Sequence, residues 1–351
     1  MSMYDIKLFS IKDLRDWLVE NQHIEGLNEN IVSHSRAYAI VHNPYVNDHD
    51  HVVSAIYEND EIAAYTAAFP DMVEENRVWW FTTLWCNPKY RGKGYGLLVV
   101  GSLCEEYGKD CVFDLWGAPE TVAIFDYLGL NTSSIPEYHL EEKRINLDSF
   151  RGKVANMLQL ISRCFNSKIK QFRRIVSSSS FSLQYVNYID KGTYSFIQHH
   201  SEDNVFPRTR EMMNWLLRYP FIQVSPIKGR VKTKTSFPDI SSSYQLLGVR
   251  VFSGANLIGF YILGITERGV AIKYIYYDQP YEDVVFHSIG SHIIVLHPHR
   301  FVTRCKALFQ FIKSYSLFPN TVEHQISISY PKSFSYNTNG IIQAGDGDNF
   351  V

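Results

Sequence analysis

Residues 91–96 read Arg-Gly-Lys-Gly-Tyr-Gly, between an aromatic run ending Leu84-Trp85-Cys86-Asn87-Pro88 and an apolar helical pattern opening at Leu97-Leu98. Glycines at 92, 94 and 96 let the main chain approach a ligand with no Cβ in the way. The N–H groups of such a turn, with the N-terminus of the helix behind it, form a seat for phosphate groups. Arg91 and Lys93 set positive charge beside that seat. The spacing excludes two other phosphate-binding designs. No Gly-Lys-Ser/Thr follows, as a P-loop requires, and glycines at i, i+2 and i+4 are not the dinucleotide fingerprint.

Fewer residues here suit proton transfer. Asp114 lies mid-strand in the apolar VFDLW (112–116), where desolvation would raise its pKa toward that of a general base. A carboxylate simply bonded to buried backbone is the structural alternative. His49 and His51, in Asn-Asp-His-Asp-His, are second candidates for the base. Their spacing also resembles a pair of metal ligands, but loop histidines without a role are commoner, and no metal is assigned. Cys86 has no His/Asp pair close in sequence to activate its thiol as a nucleophile.

The elements that must hold these residues alternate along the chain. Strands are expected at Tyr4–Phe9, Val52–Tyr57, Glu61–Phe69, Arg77–Cys86, Cys111–Leu115 and Tyr138–Asn146, with a turn at Glu58-Asn59-Asp60. Helices are expected at Ile11–Asn21, Asn30–Val41, Gly94–Tyr107 and Glu120–Leu128. A second stretch repeats this order. YENDEIAAYTAAFP (57–70) resembles FSGANLIGFYILGI (252–265), and RVWWFTTLWCNP (77–88) resembles GVAIKYIYYDQP (269–280). RAYAIVHNPY (36–45) resembles REMMNWLLRYPF (210–221), and VFDLW is set against HIIVL (292–296). The repeated order implies one α/β fold with a mixed sheet, duplicated in tandem. The expected division is a first domain at 1–148, a linker at 149–182 and a second domain at 183–351. The linker includes the basic helical pattern Phe150–Arg174, read as a solvated face, and Ser177-Ser178-Ser179-Ser180. The second copy has Asp278-Gln279-Pro280-Tyr281-Glu282-Asp283-Val284 in place of the glycine turn, so it is degenerate and repels a phosphate.

Bulk properties narrow the partners. Lys and Arg total 34 against 36 Asp and Glu, which leaves no long-range attraction to nucleic acid. Five cysteines without a Cys-x-x-Cys pair read as reduced thiols of a cytoplasmic protein. No run of 18 apolar residues is present, so no membrane span is expected. No apolar leader opens the chain, so secretion is not expected either.

The glycine turn resembles motif A of the GNAT (GCN5-related N-acetyltransferase) superfamily, R/Q-x-x-G-x-G/A, with Arg91, Gly94 and Gly96 at the defining positions. ETVAIFDYLGL (120–130) resembles the end of that superfamily's later helix. The resemblance implies tandem GNAT folds and acyl-CoA as co-substrate. Cofactor phosphates are then held by main-chain amides across Arg91, Gly92, Lys93, Gly94, Tyr95 and Gly96. The pantetheine arm pairs with Leu84, Trp85 and Cys86, and a backbone N–H near Cys86 faces the thioester oxygen. Where the superfamily often has a tyrosine acid, this chain has Phe125, while Tyr127 lies off that helix face.

A GNAT domain followed by a degenerate copy is similar to the nucleotide-sugar N-acyltransferases of bacterial polysaccharide biosynthesis. HNPY (42–45) and the terminal GDGD are shared features by analogy. The resemblance implies transfer of an acetyl or short hydroxyacyl group, such as 3-hydroxybutyryl, to the amine of a dTDP-linked amino sugar. The second domain would wall the acceptor pocket, with HHSEDNVFPRTRE (199–211) and HPHR (297–300) as polar candidates. A small-molecule or peptide N-acetyltransferase would share the cofactor site and differ in the pocket. A non-catalytic CoA-binding protein would bind without turnover. A FemAB-type aminoacyl transferase is opposed by the intact glycine turn and the balanced charge.

Overall fold

The computed structural model describes residues 4–20, 24–73, 75–115, 118–142, 181–219, 244–267, 269–315, 317–335, 337 and 339–347. In chain order the first copy comprises β1 (Tyr4–Ser10), α1 (Ile11–Glu20), α2 (His34–Val41), β2 (His51–Glu58), β3 (Glu61–Val73), β4 (Asn76–Cys86), α3 (Tyr95–Tyr107), β5 (Val112–Leu115), α4 (Pro119–Tyr127) and β6 (Asn131–Glu141). The second comprises β7 (Ser182–Val186), α5 (Lys191–His199), α6 (Arg210–Arg218), β8 (Tyr244–Ser253), β9 (Asn256–Thr266), β10 (Val270–Tyr277), α7 (Glu282–Leu296), β11 (Arg300–Thr303), α8 (Lys306–Ser314) and β12 (Asn320–Tyr330). The two lists have the same order, including a short 3-10 turn before α3 and another before α7, as a duplication requires.

Local chemistry sets the ends of these elements. Asn59 and Asp60 both adopt left-handed φ, 53° and 62°, the pair of values a two-residue β2–β3 hairpin needs. Ser33 caps α2 by accepting the Arg36 N–H, so that helix starts at His34 rather than at Asn30. β6 begins at Asn131, earlier than the expected Tyr138. HIIVL is not the counterpart of β5. It is the last turn of α7, which runs on until His297 ends it in the left-handed region. The counterpart strand is β11, and the short β-branched run of HIIVL closes an apolar helix instead.

The chain forms two compact units that do not follow a single cut near residue 148. Unit 1 holds residues 1–135, 203–246 and 325–351, and unit 2 holds 136–202 and 247–324. In unit 1 the strand order is β1-β2-β3-β4-β5-β12, antiparallel except for the parallel β4–β5 pair. Its last strand therefore comes from the end of the chain. α3 packs on one face of this sheet. On the other face Trp215 of α6 lies against Phe69 and donates to the Ala39 carbonyl. Cover on both faces explains why β3 is buried almost throughout. Unit 2 has the order β6-β11-β10-β9-β8-β7, with β6 pairing antiparallel to β11. Its core gathers Val251, Tyr261, Phe286, Ile289 and Phe309.

Cys86, Cys104, Cys111 and Cys305 are free thiols. No helix among the described residues is long and apolar enough to cross a membrane. The basic segment 150–174 and the serine run 177–180 lie outside the described residues.

Candidate active site

Strands β4 and β5 pair at Trp79–Val112, Trp80–Phe113 and Phe81–Asp114, and the register goes no further. β4 itself continues to Cys86, still joined to β3 on its other edge. Asn87 N–H donates to the Ala63 carbonyl at 2.9 Å, which makes Ala64 and Cys86 a non-hydrogen-bonded pair. By the alternation of an antiparallel ladder, the N–H group of Cys86 points away from β3, toward the side that β5 has left. The side chains of Leu84 and Cys86 pack toward Tyr90, Tyr95 and Val99, while Trp85 stacks on Tyr65 with ring centroids 5.3 Å apart.

The register between β3 and β4 slips between Tyr65 and Ala67, so Thr83 and Leu84 together oppose Thr66, a β-bulge. Thr83 has φ 54°, a region that costs a β-branched residue about 1–3 kcal/mol. Sequence reasoning passed over Thr83 because nothing in a β-branched strand residue signals a bulge.

Immediately after β4 the glycine turn takes the conformation its residues permit. Gly92 and Gly94 have φ 86° and 80°, and a Cβ at either would meet nothing within 4 Å. The room above them is the open side of the turn. Gly94 caps α3, whose first internal bond runs from Leu98 N–H to the Gly94 carbonyl. The N–H groups ahead of Leu98 are therefore not used by the helix. Gly96 differs, because its Cβ would come 3.1 Å from Ile124 Cδ1; its smallness serves the approach of α4.

The charges of the turn are not equivalent. Arg91 is exposed, and its Nε lies 3.5 Å from the Cys86 carbonyl. Lys93 instead reaches back to Glu58, with Nζ 2.7 Å from Oε1 and 3.0 Å from Oε2. Glu58 is buried, and the Tyr95 hydroxyl donates to its Oε2 at 2.6 Å. Tyr90 donates to Glu61 at 2.9 Å, whose carboxyl is lowered by the Lys89 ammonium and then by that hydroxyl. Lys93 and Tyr95 thus anchor the turn to the β2–β3 hairpin. Glu58 was missed in the sequence, where a glutamate beside Asn-Asp reads as solvated turn.

Of the candidates for proton transfer, Asp114 lies at the last pair before β4 and β5 part, and it is 7% exposed. His49 is exposed and is not brought to the turn. Its neighbour His51 pairs with Glu106, at the C-terminal end of α3, one helix length of about 18 Å from the glycines. Asp50 on the other side pairs with Arg77 at the start of β4, far from the bulge. Cys86 carries a thiol pushed above its usual value by burial, partly offset by Arg91, so it is protonated at neutral pH. Phe125 is fully buried, edge-on to Phe81, and Tyr127 is exposed. Arg36, also missed, is buried on α2 with Nη1 2.7 Å from Thr82 Oγ1.

In unit 2 the segment matching the glycine turn has Asp278 paired with His200 at 2.9 Å, and α7 opens with Glu282 and Asp283. Negative charge at a helix N-terminus opposes an anion there. The C-terminal motif is structural where it is described. Asp346 is fully buried, accepts the Gln343 N–H at 2.8 Å and pairs with Arg208, which also pairs with the buried Asp71. Asp348 lies outside the described residues.

A parallel β4–β5 pair that ends before a bulge in β4 leads through a glycine turn into α3. The acetyltransferase (GNAT) family matches residues 11–121. Residues 11–121 are therefore similar to a GNAT acetyltransferase domain. No curated protein sequence matches it significantly. Among solved structures, a putative acetyltransferase from Pyrococcus horikoshii has a TM-score of 0.51 at 13% identity, over 98% of this chain and 96% of that one. A glucosamine N-acetyltransferase region of a fungal multi-domain GH3 β-N-acetylglucosaminidase has a TM-score of 0.50 at 9% identity, over 93% of this chain and 38% of that one. A tandem GNAT protein of clavulanic acid biosynthesis has a TM-score of 0.47 at 9% identity, over 93% of this chain and 98% of that one. At these identities the likeness shows the fold.

Proposed function

We propose that the protein transfers an acetyl or short hydroxyacyl group from acyl-CoA to the amine of a nucleotide-linked amino sugar, with a dTDP sugar as the first candidate. The observation that carries the cofactor half is the open space above Gly92 and Gly94, close in sequence to Cys86 at the end of β4, whose N–H faces away from β3. In this reading the pyrophosphate sits on the amides of residues 91–96 beside Arg91. The pantetheine arm adds to β4 along Leu84–Cys86 as an extra strand. A β4 N–H donates to the thioester oxygen as charge develops there.

The neutral amine attacks the thioester carbon directly. A C–N bond forms, the C–S bond breaks, and one amine proton leaves through Asp114 as general base, by way of water. The thiolate takes a proton from solvent, since Phe125 has none to give. The products are the amide and free CoA. An amino-sugar acceptor is supported by the protein of like fold that is named for glucosamine N-acetylation.

The test is thiol release from a panel of acyl-CoAs with dTDP- and UDP-linked 3-amino and 4-amino sugars. Turnover with one sugar establishes the acceptor and the acyl preference. CoA binding without turnover across the panel contradicts the sugar assignment and leaves another amine, or a CoA-binding protein without activity.

A further inference from the structure

Thr83 is the residue that the β4 bulge leaves over, and it is abnormal in two ways. Its φ of 54° is in the left-handed region. Its hydroxyl oxygen is buried and makes no hydrogen bond among the described residues. Structure alone does not call for threonine here. Glycine would remove the strain, and valine would remove the orphan hydroxyl. Both abnormalities coincide two residues past the last β4–β5 pair, in the stretch of β4 that leads to Cys86. Strain and an unsatisfied donor held together in such a place indicate a group kept ready for a ligand atom.

We infer that Thr83 is a catalytic residue whose Oγ–H donates a hydrogen bond to the carbonyl oxygen of the acyl thioester. It acts beside a β4 backbone N–H and forms the second donor of an oxyanion site. As the amine adds, the carbonyl electron pair moves onto that oxygen. When the tetrahedral adduct collapses the pair returns and CoA departs as thiolate, and Thr83 keeps its proton throughout. The inference rests on the proposed course of acyl-CoA along residues 84–86.

The test compares acetyl-CoA with S-ethyl-CoA, a thioether of the same carbon count that lacks the carbonyl oxygen. Both are titrated calorimetrically into the full chain as wild type, Thr83→Val and Thr83→Ser. The valine variant is expected to lose about threefold to tenfold of the wild-type preference for acetyl-CoA, with S-ethyl-CoA affinity unchanged. The serine variant is expected to keep that preference. The valine variant should also melt higher, because it buries a methyl group where a hydroxyl had no partner. An unchanged preference in a folded Thr83→Val protein overturns the inference. A wild type that binds neither ligand overturns the course of acyl-CoA itself, and shows this before any variant is made.

Discussion

The Lys93 ammonium lies 2.7 Å from the Oε1 of Glu58, a carboxylate with only 4% of its side chain exposed. A lysine that counts toward the charge of the glycine turn in the sequence is thereby committed to a buried partner 35 residues earlier. Arg91, paired with no carboxylate among the described residues, is left as the cation facing solvent.

This division predicts opposite signatures for two neighbouring charge removals. Arg91→Ala should weaken acetyl-CoA binding about tenfold, the loss of one charge-assisted contact, and leave the melting temperature within a degree. Lys93→Ala should lower the melting temperature, because Glu58 stays buried with its ammonium gone, and should weaken binding less than Arg91→Ala does. Calorimetry and chemical denaturation on both variants check the pair of outcomes. The reverse ranking would mean that the lysine leaves Glu58 to hold the ligand.

Burial raises the Cys86 thiol above its usual value, so the role proposed for this residue falls to its backbone and not its sulfur. Cys86→Ser should therefore retain turnover within about threefold, whereas loss of a true nucleophile costs orders of magnitude. Alkylation of the wild type by iodoacetamide at pH 7 should be slow at this position and quicken as pH rises. Mass spectrometry of the labelled peptide measures it.

His292 in α7 sits between two tyrosines, with Tyr185 Oη 3.1 Å from Nε2 and Tyr261 Oη 3.2 Å from Nδ1. Burial lowers its pKa, with a smaller opposing contribution from the Ser288 carbonyl. A lowered folded pKa means that the unfolded chain takes the proton first. The stability His292 contributes is present above about pH 6.5 and is lost as pH falls from there toward the folded value. Thermal melts between pH 7.5 and 5.5 should show a drop in wild type that is smaller in His292→Gln. Equal slopes would remove His292 from the account.

The glycine turn, the element order and the duplication were legible because each is local. Glycine spacing, alternation and a repeated strand-turn-strand pattern are all written within a few residues of one another. What could not be read is non-local. The β12 pairing of Ile328 with Leu115 and the β6 pairing of Leu140 with Phe301 join strands whose apolar patterns suit either copy, so the expected cut near residue 148 follows sequence order rather than contact. The same holds for side chains. Asp346 and Arg208 look like loop polar residues until their burial, against Asp71, is seen. Glu58 shows no sign of burial in its Glu-Asn-Asp turn, and His49 stays a second candidate base beside Asp114 until the strand order separates them.

The central claim is that acyl-CoA phosphates lie on the open side of the turn at Gly94. Titration of acetyl-CoA into wild type and Gly94→Val, with melting curves to show that both are folded, tests it most directly. The account predicts binding by the wild type and at least about 100-fold weaker binding by the variant, since a side chain then occupies the approach that only glycine leaves clear. Its left-handed φ should cost the variant about 1–3 kcal/mol of stability. Equal affinity in a folded Gly94→Val protein would contradict the placement of the cofactor.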